Sequence, residues 1–193
     1  HQIELEAQLE AKGKTDILEM MSAELARAGE MSFTRQMQPK GLGHAVWCAR
    51  DIVGDEPFAV ILPDVIVDAQ PGALKQLAEV YAEVGGNVIG VEPVPESETH
   101  KYGIVDPECR DGRRIRMKGM VEKPPRGEAP SNLSISGRYI LQPEIFGILE
   151  RTERGAGGEI QLTDGMARLM QSQTFTAVEY EGVTYDCGDK IGL

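Results

Sequence analysis

Aromatic side chains are scarce in this chain: four Phe, five Tyr and one Trp in 193 residues. Ile, Val, Leu, Ala and Met must therefore do most of the packing. Hydrophobic residues still make up 41% of the chain, an ordinary globular share that excludes disorder as the main state. The length suits a single domain of roughly 100–200 residues. Cysteine is scarcer still. Cys48, Cys109 and Cys187 are odd in number and far apart, which excludes a disulfide framework and zinc-ligand spacing. They point to reduced thiols and a cytoplasmic location. Positive charge is short as well: 20 Lys and Arg against 31 Asp and Glu leave a net charge of −11, which argues against a nucleic-acid surface. An acidic protein can still hold anions locally, through backbone N–H groups and one or two lysines. No apolar run approaches the ~20 residues that a membrane span needs. The opening segment HQIELEAQLEAK is amphipathic and acidic, unlike a signal peptide. A first residue of His instead of Met predicts a processed start or a piece of a longer protein.

Apolar spacing predicts helices over residues 1–12 and 15–29 and a short strand over 31–37. A glycine-rich turn, QPKGLGHA (38–45), then feeds a helix. PFAVILPD (57–64) is a near-continuous apolar run of the kind that forms a buried parallel strand. A helix over 72–86 and a strand over 87–94 follow. This alternation predicts an α/β layer fold with right-handed crossovers. The second half is richer in strands (102–108, 114–124 and 134–142), has helices at 143–151 and 159–171, and ends in what reads as a strand pair. No linker divides the chain, so one domain over 1–193 is expected.

Several residues carry chemical options. Ligands of open α/β sheets bind beyond the carboxyl ends of strands. Asp64 closes ILPD at such an end, where it either holds a hard cation such as Mg2+ beside a phosphate or caps a turn. Asp186 in YDCGDK offers the same two options, and Asp189 is an alternative ligand further into the turn. Gly41 allows close backbone approach, and the Gln36 amide either reads a base edge or faces solvent. In VEKP, Glu122 can accept hydrogen bonds from sugar hydroxyls and Lys123 can neutralise a phosphate, or the two form a surface ion pair. Gly103 in YGIVD lets a ligand reach the backbone or is simply structural.

The order of these motifs says more than any one of them. KGLGHAV, VILPDV, YGIVD, EKP, APSNL, GRY, EIQLTD and DCG run in sequence over nearly the whole chain. The series resembles the sugar-nucleotide pyrophosphorylases and, among them, the bacterial UTP–glucose-1-phosphate uridylyltransferase family. The resemblance implies a Rossmann-like α/β nucleotidyltransferase fold, a mixed central sheet with helices on both faces. It also implies transfer of a uridylyl group from UTP to glucose 1-phosphate, giving UDP-glucose and pyrophosphate. Gln36 and the Gly41 backbone would contact uracil. Asp64 and Asp186 would bind Mg2+. Gly103, Glu122 and the Ile135 backbone would hold the glucose, and Lys123 the sugar phosphate. Lys123 and Asp64 would be the catalytic pair, while Glu159 and Asp164 would be mainly structural. A homodimer or homotetramer would be the assembly.

One part of the family pattern has no match: the opening G-x-G-T-R signature, with its downstream P-K, that cradles the triphosphate. The chain is therefore expected to be an interior portion that lacks the first strand and stops short of a C-terminal helix. Little activity and marginal stability are expected of the 193 residues alone, because the missing strand would expose a sheet edge. Two further readings are a related dTTP- or other sugar-1-phosphate nucleotidyltransferase and a non-catalytic sugar-phosphate-binding regulatory module.

Overall fold

The computed structural model of the chain describes residues 3–23 and 29–187. The chain divides into two compact units, residues 1–34 and 35–193. In the first, the expected periodicity produces α1 (Ile3–Ala11) and α2 (Thr15–Ala23), which contact each other. α1 buries none of its residues, and Ile3 and Met20 are exposed. The strand expected over 31–37 does not form. Met31, Phe33 and Met37 lie exposed on irregular backbone, because alternation alone makes no strand without a neighbour to take its hydrogen bonds.

The second unit begins its regular structure with α3 (Leu42–Trp47) and α4 (Arg50–Val53), the two pieces of the helix expected after the glycine-rich turn. β1 (Phe58–Ile61), β2 (Val65–Asp68), α5 (Ala73–Val84), β3 (Asn87–Pro93), β4 (Gly103–Asp111), β5 (Arg114–Glu122) and β6 (Leu133–Leu141) follow. α6 (Glu144–Glu150), α7 (Leu162–Leu169), β7 (Phe175–Glu179) and β8 (Val183–Asp186) complete it. The main sheet has the order β1-β6-β3-β7-β5-β4. β3 runs parallel to β7, with Ile89 beside Ala177, and antiparallel to β6, with Val88 beside Ile140.

Two strand expectations are corrected. β1 is antiparallel to β6 and pairs with no other described strand, so its apolar residues alternate between half-buried and exposed. An apolar run fixes neither the direction of pairing nor the burial of both faces. The last two strands do not pair with each other either. β7 enters the main sheet between β3 and β5, and β8 pairs with β2, a strand the sequence did not signal, in a separate two-stranded sheet.

Successive side chains of the main sheet face opposite layers. Val88, Ile140 and Val178 pack with Leu77 and Val80 of α5. Their neighbours Ile89, Tyr139, Leu141 and Ala177 pack with Ile145 and Leu149 of α6 and with Leu162, Met166 and Leu169 of α7. Helices thus cover both faces, as expected. Each fully buried leucine or isoleucine here contributes about 1.5–3 kcal/mol relative to exposure. That packing fixes the strand ends from which the candidate site is built.

Candidate active site

The register of β4 on β5 sets Gly103 opposite Glu122, and Ile104 opposite Ser134 brings β6 alongside. A Cβ placed on Gly103 would lie 3.0 Å from Thr163 Oγ1, 3.1 Å from Glu122 Oε2 and 3.2 Å from Ile135 Cδ1. Three residues singled out from the sequence therefore converge on one point, packed closely where Gly103 carries no side chain. Thr163, in the first turn of α7, joins them. Its motif EIQLTD was visible in the sequence but read as structural.

Lys123 follows Glu122 directly. Its N–H donates to the Tyr102 carbonyl at 3.0 Å, and its Nζ lies 3.9 Å from Glu122 Oε1. Glu122 is 12% exposed at the side chain and Lys123 52%, so the carboxylate is held and the ammonium is accessible. Lys123 is also the one non-glycine residue in the left-handed region, at φ +45°, among the described residues. A bulky side chain there costs backbone strain that the surroundings must maintain, a pattern that clusters at ligand sites.

Asp64 lies in the turn between β1 and β2. The Leu62 N–H donates to the Gly137 carbonyl at 3.0 Å, and the Cys187 N–H donates to the Asp64 carbonyl at 2.7 Å. Val65 is the register partner of Asp186. The two aspartates predicted to share a metal thus stand at adjoining positions of the small sheet, both exposed. Among the described residues no group of three or more His, Cys, Asp or Glu could hold a metal ion. Two carboxylates still fit Mg2+, which prefers hard oxygen donors and commonly completes its shell with water and substrate phosphate oxygens. Asp189, the alternative ligand, lies outside the described residues.

Two phenols feel the charges of carboxylates in this region. Tyr139 is buried, and burial pushes its phenol well above the usual range. The Glu122 and Asp64 carboxylates push it further, and Arg138 opposes them. Tyr139 is thus a neutral group within electrostatic reach of both carboxylates. Tyr102, next to Gly103, is raised by burial and then by Glu98 and Asp186. Glu92, at the end of β3, is raised by its own burial; a hydrogen bond with Thr184 opposes this and nearby Asp186 adds to it. Sequence reasoning missed Glu92, Tyr102 and Tyr139. The only signals were the Tyr preceding Gly103 and the Tyr of GRY, and neither shows which strand lies alongside.

Gln36 and Gly41 form a second group. Gln36 Nε2 donates to the Gly41 carbonyl at 3.0 Å and lies 2.9 Å from His44 Nδ1. Gly41 has φ +102°, and a Cβ there would meet Glu159 Cβ at 2.7 Å and the Ile160 carbonyl at 2.8 Å. The Ile160 N–H donates to the Lys40 carbonyl at 2.7 Å, and the Gly43 N–H to the Ile160 carbonyl at 2.9 Å. The glycine-rich turn is therefore seated on residues 159–160, just before the α7 turn that carries Thr163. No hydrogen bond joins Gln36 directly to Asp64, Glu122 or Lys123 among the described residues. A cavity of about 490 Å3 lined by Glu96, Thr99, Ser131 and Asn132 contains none of the predicted site residues.

The nucleotidyl transferase family model matches residues 6–189, almost the whole chain. The chain belongs to the nucleotidyl transferase family. The motif resemblance and the mixed-sheet fold it implied are both borne out. The UTP–glucose-1-phosphate uridylyltransferase of Bacillus subtilis is 53% identical over 190 residues, 98% of this chain and 65% of that protein. The enzyme of the same name from Staphylococcus epidermidis is 50% identical over 195 residues, covering 100% of this chain and 67% of that one. Among solved structures, a UDP-glucose pyrophosphorylase from Acinetobacter baumannii superposes with a TM-score of 0.84 at 42% identity, over 100% of this chain and 67% of that one. A UDP-glucose pyrophosphorylase complexed with UDP-glucose gives a TM-score of 0.81 at 40% identity, over 83% of this chain and 62% of that one. This family member thus spans about two thirds of the length of the proteins it matches. None of its described helices is long and apolar enough to cross a membrane.

Proposed function

We propose that the full-length protein transfers a uridylyl group from UTP to glucose 1-phosphate and releases pyrophosphate, leaving UDP-glucose. The observation that carries this reading is the meeting of Gly103, Glu122, Ile135 and Thr163 at one point, beside an accessible Lys123. Asp64 and Glu122 both raise the pKa of Tyr139, which supports one shared site for the two carboxylates. The relatives support it: the curated ones carry the name of this activity, and one matching structure is a UTP-bound UGPase.

In this reading Glu122 accepts hydrogen bonds from glucose hydroxyls, and the Gly103 and Ile135 backbone closes on the ring. Lys123 neutralises the sugar phosphate and orients it. One oxygen of that phosphate attacks the α-phosphorus of UTP in line. The new O–P bond forms as the bond from the α-phosphorus to the bridging oxygen breaks, and pyrophosphate leaves with that electron pair. The attacking phosphate is already ionised, so no strong general base is needed, and positioning with charge neutralisation supplies the catalysis. Asp64 and Asp186 would hold Mg2+, which supplies neutralisation of phosphate charge. Gln36 and Gly41 would read the uracil edge. A homo-oligomer in the cytoplasm completes the proposal, consistent with three thiols and no described disulfide.

The test is pyrophosphate release by the full-length protein from UTP, glucose 1-phosphate and Mg2+, run beside dTTP. Turnover with UTP at least tenfold above dTTP is expected. A preference for dTTP would reassign the base, and binding of glucose 1-phosphate without pyrophosphate release would leave a regulatory module.

A further inference from the structure

Arg138 is a buried cation that the reading above leaves unused. It is 8% exposed, and among the described residues it forms no ion pair with a carboxylate. Its guanidinium is spent on backbone carbonyls. Nη1 donates to Leu62 O at 3.2 Å and to Gly137 O at 3.1 Å, and Nη2 donates to Val65 O. Leu62 and Val65 flank Pro63 and Asp64, so one planar group ties the turn on both sides of the aspartate. A lysine ammonium is a point charge without that fork.

The backbone of β6 is shaped for this contact. Its register against β3 shifts between Ile89 and Val91, and Gly137 sits in the irregular stretch at φ +70°. Such bulges re-aim side chains. A Cβ on Gly137 would lie 3.0 Å from Leu62 Cβ, so only glycine lets the turn seat against β6. The Cys187 N–H holds the Asp64 carbonyl from the β8 side. The carbonyls of residues 62, 64 and 65 are all engaged, while Asp64 itself stays exposed. Burying an arginine without a carboxylate partner is costly, and a structural turn can be closed more simply.

We propose that Arg138 is a positioning residue that holds the Asp64 turn in its metal-binding geometry by bridging the Leu62 and Val65 carbonyls. This rests on the reading of Asp64 as a metal ligand. The experiment compares Arg138→Met and Arg138→Lys with the wild type in the full-length protein. The first readout is hydrogen exchange of the amides of residues 62–67 without substrate or metal. The second is the Mg2+ concentration for half-maximal turnover, alongside KM for glucose 1-phosphate. In Arg138→Met, exchange over 62–67 should rise about tenfold with β3 and α6 unchanged, and half-saturation by Mg2+ should rise about tenfold, as for other residues that orient metal ligands. KM for glucose 1-phosphate should stay within about twofold. Arg138→Lys should recover neither readout fully, and it carries the comparison if the methionine variant fails to fold. Unchanged exchange at 62–67, full rescue by lysine, or faster exchange with unaltered Mg2+ dependence would each overturn the proposal. A wild type without turnover would instead reject the uridylyltransferase reading, and the exchange data would still decide whether Arg138 holds the turn.

Discussion

Gly41 and Gly103 come from similar-looking motifs and meet opposite surroundings. The space that a side chain would need at Gly41 is taken by the Ile160 backbone and the Glu159 Cβ, on a backbone at φ +102°. At Gly103 it is taken by the ends of three side chains, Thr163, Glu122 and Ile135, and the backbone is not in the left-handed region. Backbone cannot retreat, whereas side-chain ends shift by a few tenths of an ångström. The first glycine is therefore a requirement of the fold, and in the proposed function the second is a requirement of the pocket. The same contrast separates the whole 36–44 turn, closed by its own hydrogen bonds, from the 102–123 region, which leaves an ammonium and a carboxylate for a ligand.

The largest effect that would break this contrast is loss of the accessible cation. Lys123→Ala in the full-length protein should lower kcat by about 10²–10³, the usual loss for a group that stabilises transition-state charge, with the melting temperature nearly unchanged. A marked fall in melting temperature with kcat nearly unchanged would make Lys123 a structural residue held at a strained φ.

Next is Gly41→Ala. An alanine forced into a glycine-only backbone region against fixed backbone atoms should destabilise the protein by about 2–4 kcal/mol in urea unfolding. A stable variant with weakened UTP binding would instead make Gly41 mainly a base-contact residue. Gly103→Ala sharpens the other side. It should raise KM for glucose 1-phosphate about tenfold while shifting stability by less than about 1 kcal/mol. Equal losses of stability at both glycines would erase the distinction.

The smallest effect concerns His44. Burial, and then the charge of Lys40, lower its pKa below the ordinary value. The Gln36 amide nitrogen 2.9 Å from Nδ1 suits a neutral ring, because a protonated Nδ1 would face another donor. The folded state thus takes up this proton less readily than the unfolded chain. The stabilisation is complete above the unfolded pKa of about 6.5 and is lost as pH falls through the folded value. His44→Gln should narrow the gap between melting temperatures at pH 7.5 and pH 5.5. An unchanged gap would mean that this histidine is solvated alike in both states.

Much of the site was legible because its chemistry sits in short motifs at strand ends. ILPD, EKP and DCG name a carboxylate or a lysine beside a turn, and the structure sets Asp64 next to Asp186 and Glu122 next to Gly103. Other parts had no local signal. Arg138 looks like any strand arginine until the bulge at Gly137 turns it onto Leu62 and Val65. The run 57–64 reads as a buried parallel strand because continuous apolarity shows neither which neighbour a strand pairs with nor whether both of its faces are covered. The segment 31–37 alternates like a strand but has no partner to hold it.

By itself the sequence determined where most helices and strands lie, which of their faces are apolar, and which residue types wait at the turns, since these follow from local spacing and side-chain chemistry. Only the tertiary structure decided that β8 leaves β7 to pair with β2, that Tyr139 feels the charges of both Asp64 and Glu122, and that a buried arginine donates to the carbonyls on either side of Asp64. Those outcomes depend on hydrogen-bond register between segments tens of residues apart. Many pairings satisfy the same apolar pattern, and close packing of the whole core selects one of them.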